Sequence, residues 1–164
     1  MATYFKQSEF HVTITKIVDG DTVDVDIDLG FGIQLTDERV RIMGIDTPES
    51  RTSDKVEKVF GLAAKYRLME LLGETCVLKT QINKDGEDMK GKFGRILGDF
   101  DVYDVVKDAW RPATDMLVEE GHAVAYFGGS KEEVQMKHMA NREKLLREEV
   151  VSKADYDEAI ALME

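Results

Sequence analysis

The sequence predicts an α+β protein: a five-stranded OB-type Greek-key β-barrel with about three helices. Three observations predict it. Apolar and polar residues alternate in successive short runs through the first 45 residues. The spacing becomes helical after Asp54, and two more extended runs then precede a helical C-terminal third. The resulting order, β-β-β-α-β-β-α-α, suits five strands that close early around a core. Pattern alone leaves a generic α+β sandwich open as well. With 164 residues and 43% hydrophobic content, the chain suits one domain over 1–164 with a real core and is short for two. No internal repeat or low-complexity linker divides it.

The elements follow in order. "FHVTITKIV" (10–18) alternates Phe10, Val12 and Ile14 with His11, Thr13 and Thr15, a strand pattern. The "DGD" after it is a turn, and "TVDVDIDL" places Val23, Val25, Ile27 and Leu29 on one face and Asp24, Asp26 and Asp28 on the other. "GFG" (30–32) marks a second bend, and "ERVRIMGI" (38–45) is the third strand. "DKVEKVFGLAAKYRLMELLG" carries Val56, Phe60, Ala63, Ala64, Leu68 and Leu71 at helical spacing. Asp54 caps its start, Glu57 stands three residues on, and Gly73 closes its end. "TCVLKTQI" (75–82) returns to strand, "NKDGEDMKGKFG" (83–94) is a polar hairpin tip expected to be mobile, and "RILGDFDV" (95–102) is the fifth strand. A short helix follows Pro112, which fits a helix start, and Gly121 ends it. "HAVAYF" is extended, residues 131–150 form a charged helix packed on one side, and "ADYDEAIALME" adds a further helical segment.

Composition bounds the function. The net charge is −11, which by itself argues weakly against nucleic acid and membrane surfaces as partners. A lone cysteine, Cys76, excludes an internal disulfide framework and reads as a small core residue. The N-terminal twenty residues show no basic n-region followed by an apolar stretch, and no run approaches a membrane span, so a cytoplasmic protein, monomeric and off the membrane, is expected. His11, His122 and His138 have no ligand spacing with one another and read as structural or surface residues; Trp110 reads as core or interface.

The residues that carry chemistry are few. Asp24, Asp26 and Asp28 lie out of phase with the valines and face solvent. Asp21 is in phase with Val23 and Val25, so its carboxylate is aimed toward the buried side. A hard cation such as Ca²⁺, which prefers oxygen ligands, would keep it ionised there. Asp19 can assist or cap its turn. In "RIMGIDTPES" (41–50), Asp46 ends a strand, Thr47 is held extended by Pro48 and can present its carbonyl, and Glu49 follows. Arg41, in an otherwise apolar run, needs an anion: a local carboxylate, or a phosphate matched by its guanidinium fork. In "KGKFGR" (90–95), Arg95 opens a strand at the root of a polar loop, with Lys92 and Phe93 beside it. Carboxylates and a carbonyl for a metal, a further carboxylate for proton transfer and two arginines form a parts list for metal-assisted phosphodiester hydrolysis.

"VDGDTV", "RIMGIDTPE" and "GKFGR", in that order and with a helix between the last two, resemble the staphylococcal nuclease (thermonuclease) family over about residues 12–150. The resemblance implies an OB-fold barrel with three helices that cleaves DNA and RNA with Ca²⁺. It implies Asp21 and Asp46 as calcium-binding carboxylates and Thr47 as the backbone-carbonyl ligand. Glu49 falls at the general base and Arg41 and Arg95 at the phosphate-binding arginines. Lys92 and Phe93 stand beside the nucleotide's other phosphate, and Tyr126 resembles a nucleotide-pocket tyrosine. Phe93 and Gly128 stand where the family has tyrosines, residues 101–110 look like an insertion, and 151–164 have no counterpart. A non-catalytic nucleic-acid- or protein-binding OB module is the rival; loss of Asp21, Arg41, Glu49 or Arg95 would favour it, and all four are kept. The acidity then requires either a local basic mouth (Arg41, Arg95, Lys90, Lys92 and Arg51) or screening by salt.

Overall fold

The computed structural model describes residues 8–81 and 94–164. Three long strands, β1 (Ser8–Asp19), β2 (Thr22–Gly30) and β3 (Ile33–Ile42), form an antiparallel meander, followed by the two-residue β4 (Ile45–Asp46). Helix α1 (Lys55–Leu72) leads to β5 (Thr75–Thr80) and β6 (Ile96–Asp104). Then come β7 (Ala109–Pro112), α2 (Ala113–Glu120), β8 (Val124–Ala125), α3 (Lys131–Arg147) and α4 (Lys153–Met163). The main sheet runs β3-β2-β1-β5-β6-β7, and β3 also pairs in parallel with β6 through Val40–Ile96 to Ile42–Gly98. That last pairing joins the first and fifth strands of the ring β3-β2-β1-β5-β6, an OB-like arrangement within an α+β fold.

The core follows the alternation. Val12, Val23, Val25, Ile27, Val40, Ile42, Leu78 and Phe100 are all at most 3% exposed, and Leu68 and Leu72 of α1 pack onto them. Each such side chain contributes about 1.5–3 kcal/mol by leaving water. A second cluster joins the helices: Phe60 of α1 meets Leu145 at the end of α3 and Val151 before α4. Tyr156 packs edge-on to Phe60, and the Arg142 guanidinium lies 5.2 Å from the centre of its ring.

Local chemistry sets the helix ends. The Asp54 carboxylate accepts from the backbone N–H groups of Val56 and Glu57, Gly73 closes α1, and Gly121 closes α2 in a left-handed conformation. Pro112 offers α2 no side-chain cap. Asp99 of β6 replaces it, accepting the Thr114 hydroxyl at 2.6 Å and the Phe100 N–H at 2.7 Å. Burial raises the Asp99 carboxyl pKa to about 6, against the hydrogen bonds that lower it.

Several expectations are corrected. The third strand begins at Ile33 rather than Glu38 and stops at Ile42, because Gly44 (φ 84°) turns the chain and separates β4. Four helices form, the fourth being the further helical segment expected in "ADYDEAIALME". Residues 101–110, which look like an insertion, lie in a β6–β7 hairpin, pinned where Arg111 bonds both Asp104 (3.0 Å) and Glu119 of α2 (2.6 Å). Trp110 is not in the core; it is 66% exposed and packs edge-on against Tyr103. Cys76 is half-buried against the core, and burial pushes its thiol up to about 12. No helix among the described residues is long and apolar enough to cross a membrane.

Candidate active site

The site is built from three segments that the fold brings to one end of the strand ring. The first is the turn between β1 and β2. Asp21 lies in this turn and not in the strand, and its carbonyl accepts the Ile42 N–H at 2.8 Å, which ties the turn to the end of β3. Its side chain is 14% exposed, so the inward orientation expected from its phase holds. One carboxylate oxygen takes the Thr22 hydroxyl at 2.9 Å, and the other stands 3.4 Å from the Arg41 guanidinium. Arg41 donates also to the Ile42 carbonyl and, at 3.0 Å, to that of Ile45. Of the two anions open to Arg41 in the sequence, the local carboxylate is therefore present, and the fork is held in place around it.

The second segment runs from β4 to α1. β4 pairs with β8, with Asp46 opposite Val124, so Asp46 is fixed by its backbone at the ring's end. Thr47 is 4% exposed, and its hydroxyl oxygen has no hydrogen-bond partner among the described residues. Ser50, 1% exposed, donates its backbone N–H and its hydroxyl to one oxygen of Asp19. Asp19 is thus the anchor of the Glu49–Ser50 segment, a role its sequence position left open. Helix α1 presses on the same segment: a Cβ added at Gly61 would lie 2.2 Å from the Glu49 carbonyl oxygen. Only glycine permits that approach.

Glu49 is an exposed residue, yet partial desolvation and then the negative charge of Asp19, Asp21, Glu57 and Asp46 raise its carboxyl above the usual carboxylate range. Five carboxylates thus crowd one another at this end of the ring, which is the setting a cation relieves. No group of three or more His, Cys, Asp or Glu side chains among the described residues is arranged to hold a metal alone. A cation there would draw on carbonyl and water oxygens beside the carboxylates, as Ca²⁺ commonly does. The hard oxygen donors of Asp21 and Asp46 fit such an ion.

The third segment is β8 to α3. Tyr126, 38% exposed, donates its backbone N–H to the Gly44 carbonyl at 2.9 Å. It stands between two clefts. One, of about 740 Å³, is lined by Arg41, Arg95, Gln81, Tyr126 and Phe127. The other, of about 340 Å³, is lined by Asp46, Thr47, Glu49, Glu57, Tyr126 and His138. Arginines line one cleft and acids the other, with a tyrosine shared. Lys92 and Phe93 lie outside the described residues, as does Lys90. A groove of about 470 Å³ between α1 and α4, lined by Tyr66, Val150 and Leu162 among others, is separate from all these residues.

Two residues escaped the sequence reading. His138, taken as structural or surface, is 8% exposed and places Nε2 2.7 Å from Asp46 Oδ2. Glu57, seen only as a helix-start residue, lines the acidic cleft. His138 is 92 positions from Asp46, so no local spacing signals it. Glu57 lies eight positions beyond Glu49, and only the turn between them brings the two together.

A comparison with curated proteins found no match. A family model described as "Staphylococcal nuclease homologue" matches residues 39–152. That segment holds Arg41, Asp46, Thr47, Glu49, Arg95 and Tyr126, while the turn that carries Asp19 and Asp21 precedes it and is joined to it by the Asp21–Ile42 and Asp19–Ser50 hydrogen bonds. With more than half of its length matched and an OB-like α+β fold, the chain belongs to the staphylococcal nuclease family.

Proposed function

We propose that this protein is a Ca²⁺-dependent nuclease that hydrolyses phosphodiester bonds of DNA, RNA or both. The observation that supports it most is the electrostatic crowding around Glu49: partial desolvation plus Asp19, Asp21, Glu57 and Asp46 raise its pKa, while Arg41 stands 3.4 Å from Asp21 at the edge of the same group. Carboxylates set out for a cation, beside a fixed guanidinium, match the needs of a transferring phosphoryl group.

In this reading Asp21, Asp46 and the Thr47 carbonyl hold Ca²⁺. When bound, Ca²⁺ supplies positive charge against a phosphoryl oxygen and offsets the repulsion among the carboxylates. Glu49, in the cleft beside Asp46 and Thr47, takes a proton from a water molecule as general base. The water oxygen forms a bond to phosphorus, and the P–O5′ bond breaks. The leaving O5′ takes a proton from solvent water and Glu49 returns its own to solvent, giving a 5′-hydroxyl and a 3′-phosphate. Arg41 and Arg95 offset the extra negative charge of the five-coordinate phosphorus. Asp19, through Ser50, and the close approach at Gly61 keep the Glu49 backbone in position. Tyr126 offers a ring edge to the nucleotide in the Arg41–Arg95 cleft, and Lys92 and Phe93 serve the neighbouring phosphate.

The test is cleavage of a labelled oligonucleotide, as DNA and as RNA, in Ca²⁺ and in EDTA, with the product ends mapped. Ca²⁺-dependent cutting that yields 3′-phosphates is expected. Binding without cutting in Ca²⁺ would favour the non-catalytic module instead, and cutting at the same rate in EDTA would remove the role given to the cation.

A further inference from the structure

We propose that His138 is a positioning residue for Asp46: from α3 it donates a hydrogen bond that fixes Oδ2 and leaves Oδ1 available to the cation, so that docking of α3 and cation binding are coupled. This rests on the reading of Asp46 as a cation ligand.

Of the two carboxylates read as cation ligands, Asp46 is the less enclosed. Its side chain is 41% exposed, against 14% for Asp21, and it sits in a strand of two residues. Backbone pairing with Val124 fixes its main chain but not the rotation of its carboxylate. Among the described residues the carboxylate has one hydrogen bond, to His138 Nε2 at 2.7 Å. A carboxylate free to rotate binds a cation more weakly, because its rotamers must be frozen on binding. Donors that hold ligand carboxylates in place commonly contribute 10–100-fold in metal affinity.

His138 in turn is held firmly. It is one of two buried residues on α3, the other being Leu145. The stripe His138, Asn141 and Leu145 is the face by which this otherwise polar helix docks. Asn141 donates to the Ala123 carbonyl at 3.3 Å, next to β8, and Leu145 joins Phe60 and Val151. The imidazole thus holds the Asp46 carboxylate, while β8 holds the Asp46 backbone. A buried ring nitrogen needs a partner, and Asp46 is the one it has. With Nε2 as donor, the pair leaves the second carboxylate oxygen free. A histidine that served α3 docking alone would leave Ca²⁺ affinity unmoved when replaced by a side chain that keeps the helix in place.

The experiment is calorimetric titration of Ca²⁺ into the full chain: wild type, His138→Leu, which keeps the buried volume and removes the donor, and His138→Gln, whose amide keeps a donor. Circular dichroism checks the fold of each. The expected result is a 10–100-fold weaker Kd in His138→Leu and recovery to within about threefold in His138→Gln. Wild-type affinity in a folded His138→Leu, or equal weakening in both variants, overturns the proposal. If His138→Leu does not fold, His138→Asn, whose shorter amide falls short of Asp46, takes its place. Affinity kept by Gln and lost by Asn supports the proposal, and equal affinities overturn it. Absence of Ca²⁺ binding by the wild type, or unchanged binding in Asp46→Asn, removes the cation site itself and the proposal with it. Those two results separate a failure of the site from a failure of His138.

Discussion

Replacing Gly61 by alanine perturbs the candidate base without touching it. The added Cβ meets the Glu49 carbonyl oxygen at 2.2 Å, the Glu49 carbonyl carbon at 2.4 Å and the Ser50 nitrogen at 2.7 Å. All three are backbone atoms, so no rotamer change relieves the clash. To restore ordinary contact near 3.4 Å, the segment or the helix must shift by about 1.2 Å. The segment cannot yield freely, because Asp19 holds Ser50 by its N–H and its hydroxyl. Overpacking of this kind costs about 1–3 kcal/mol, offset by about 1 kcal/mol because alanine favours the helix interior. A net loss of up to about 2 kcal/mol is expected. A displacement of the base by about 1 Å lowers kcat about 100-fold. The assay pairs urea unfolding in EDTA with single-turnover DNA cleavage in saturating Ca²⁺. Gly129→Ala is the control, since its methyl meets nothing within 4 Å. Wild-type stability and rate in Gly61→Ala would refute the reasoning that α1 positions Glu49 by backbone contact.

Other predictions follow from the same structure. Asp19→Ala leaves the buried Ser50 N–H unpaired and its hydroxyl with only the Val18 carbonyl at 3.4 Å, so stability falls by about 1–3 kcal/mol and cleavage falls with it; urea unfolding and kcat measured together check this, and loss of neither contradicts it. Asp99 has a folded-state pKa of about 6 against 3.8 ordinarily, so the folded state binds the extra proton between those values. Its contribution is therefore greatest at low pH and declines by about 3 kcal/mol as pH rises to above 6. Asp99→Asn removes that decline, read as the difference between wild-type and variant unfolding free energies at pH 4.5 and 7.5; parallel curves would contradict it. Ca²⁺ at 100 times its Kd stabilises the folded chain by about 2.7 kcal/mol, a rise in Tm of about 5–10 °C for a domain of this size. Asp21→Asn abolishes that rise, and an equal rise in the variant would place the ion elsewhere.

Local chemistry was legible in the sequence, and long-range partnership was not. Asp54 with Gly73, and Pro112 with Gly121, bound α1 and α2 as their residue types imply. The Val23, Val25 and Ile27 alternation gave the core face of β2. The start of β3 was missed because Ile33 and Leu35 are exposed on the outer arm of the β2–β3 hairpin, where no buried face imposes a pattern. The end of β3 was missed because "RIMGI" reads as continuous, while Gly44 adopts a left-handed conformation that redirects it. In the candidate site, Asp21, Asp46, Thr47 and Glu49 sit in short motifs that the sequence displays directly. Asp19 bonds Ser50 across 31 positions and His138 meets Asp46 across 92, and such pairings arise only from the fold. The acidity has a similar resolution. Asp24 pairs with Arg39 at 2.8 Å and Asp26 accepts the Asp37 N–H, so part of the charge serves the β2–β3 hairpin. Another part gathers about Glu49.

The central claim is that Glu49 activates the water in a cation-dependent cleavage. Its most direct test is single-turnover DNA cleavage by Glu49→Gln, with Ca²⁺ binding measured on the same sample. The account predicts Ca²⁺ binding by the variant and a cleavage rate reduced about 10²–10⁴-fold. A rate equal to that of the wild type, with Ca²⁺ bound, would contradict it.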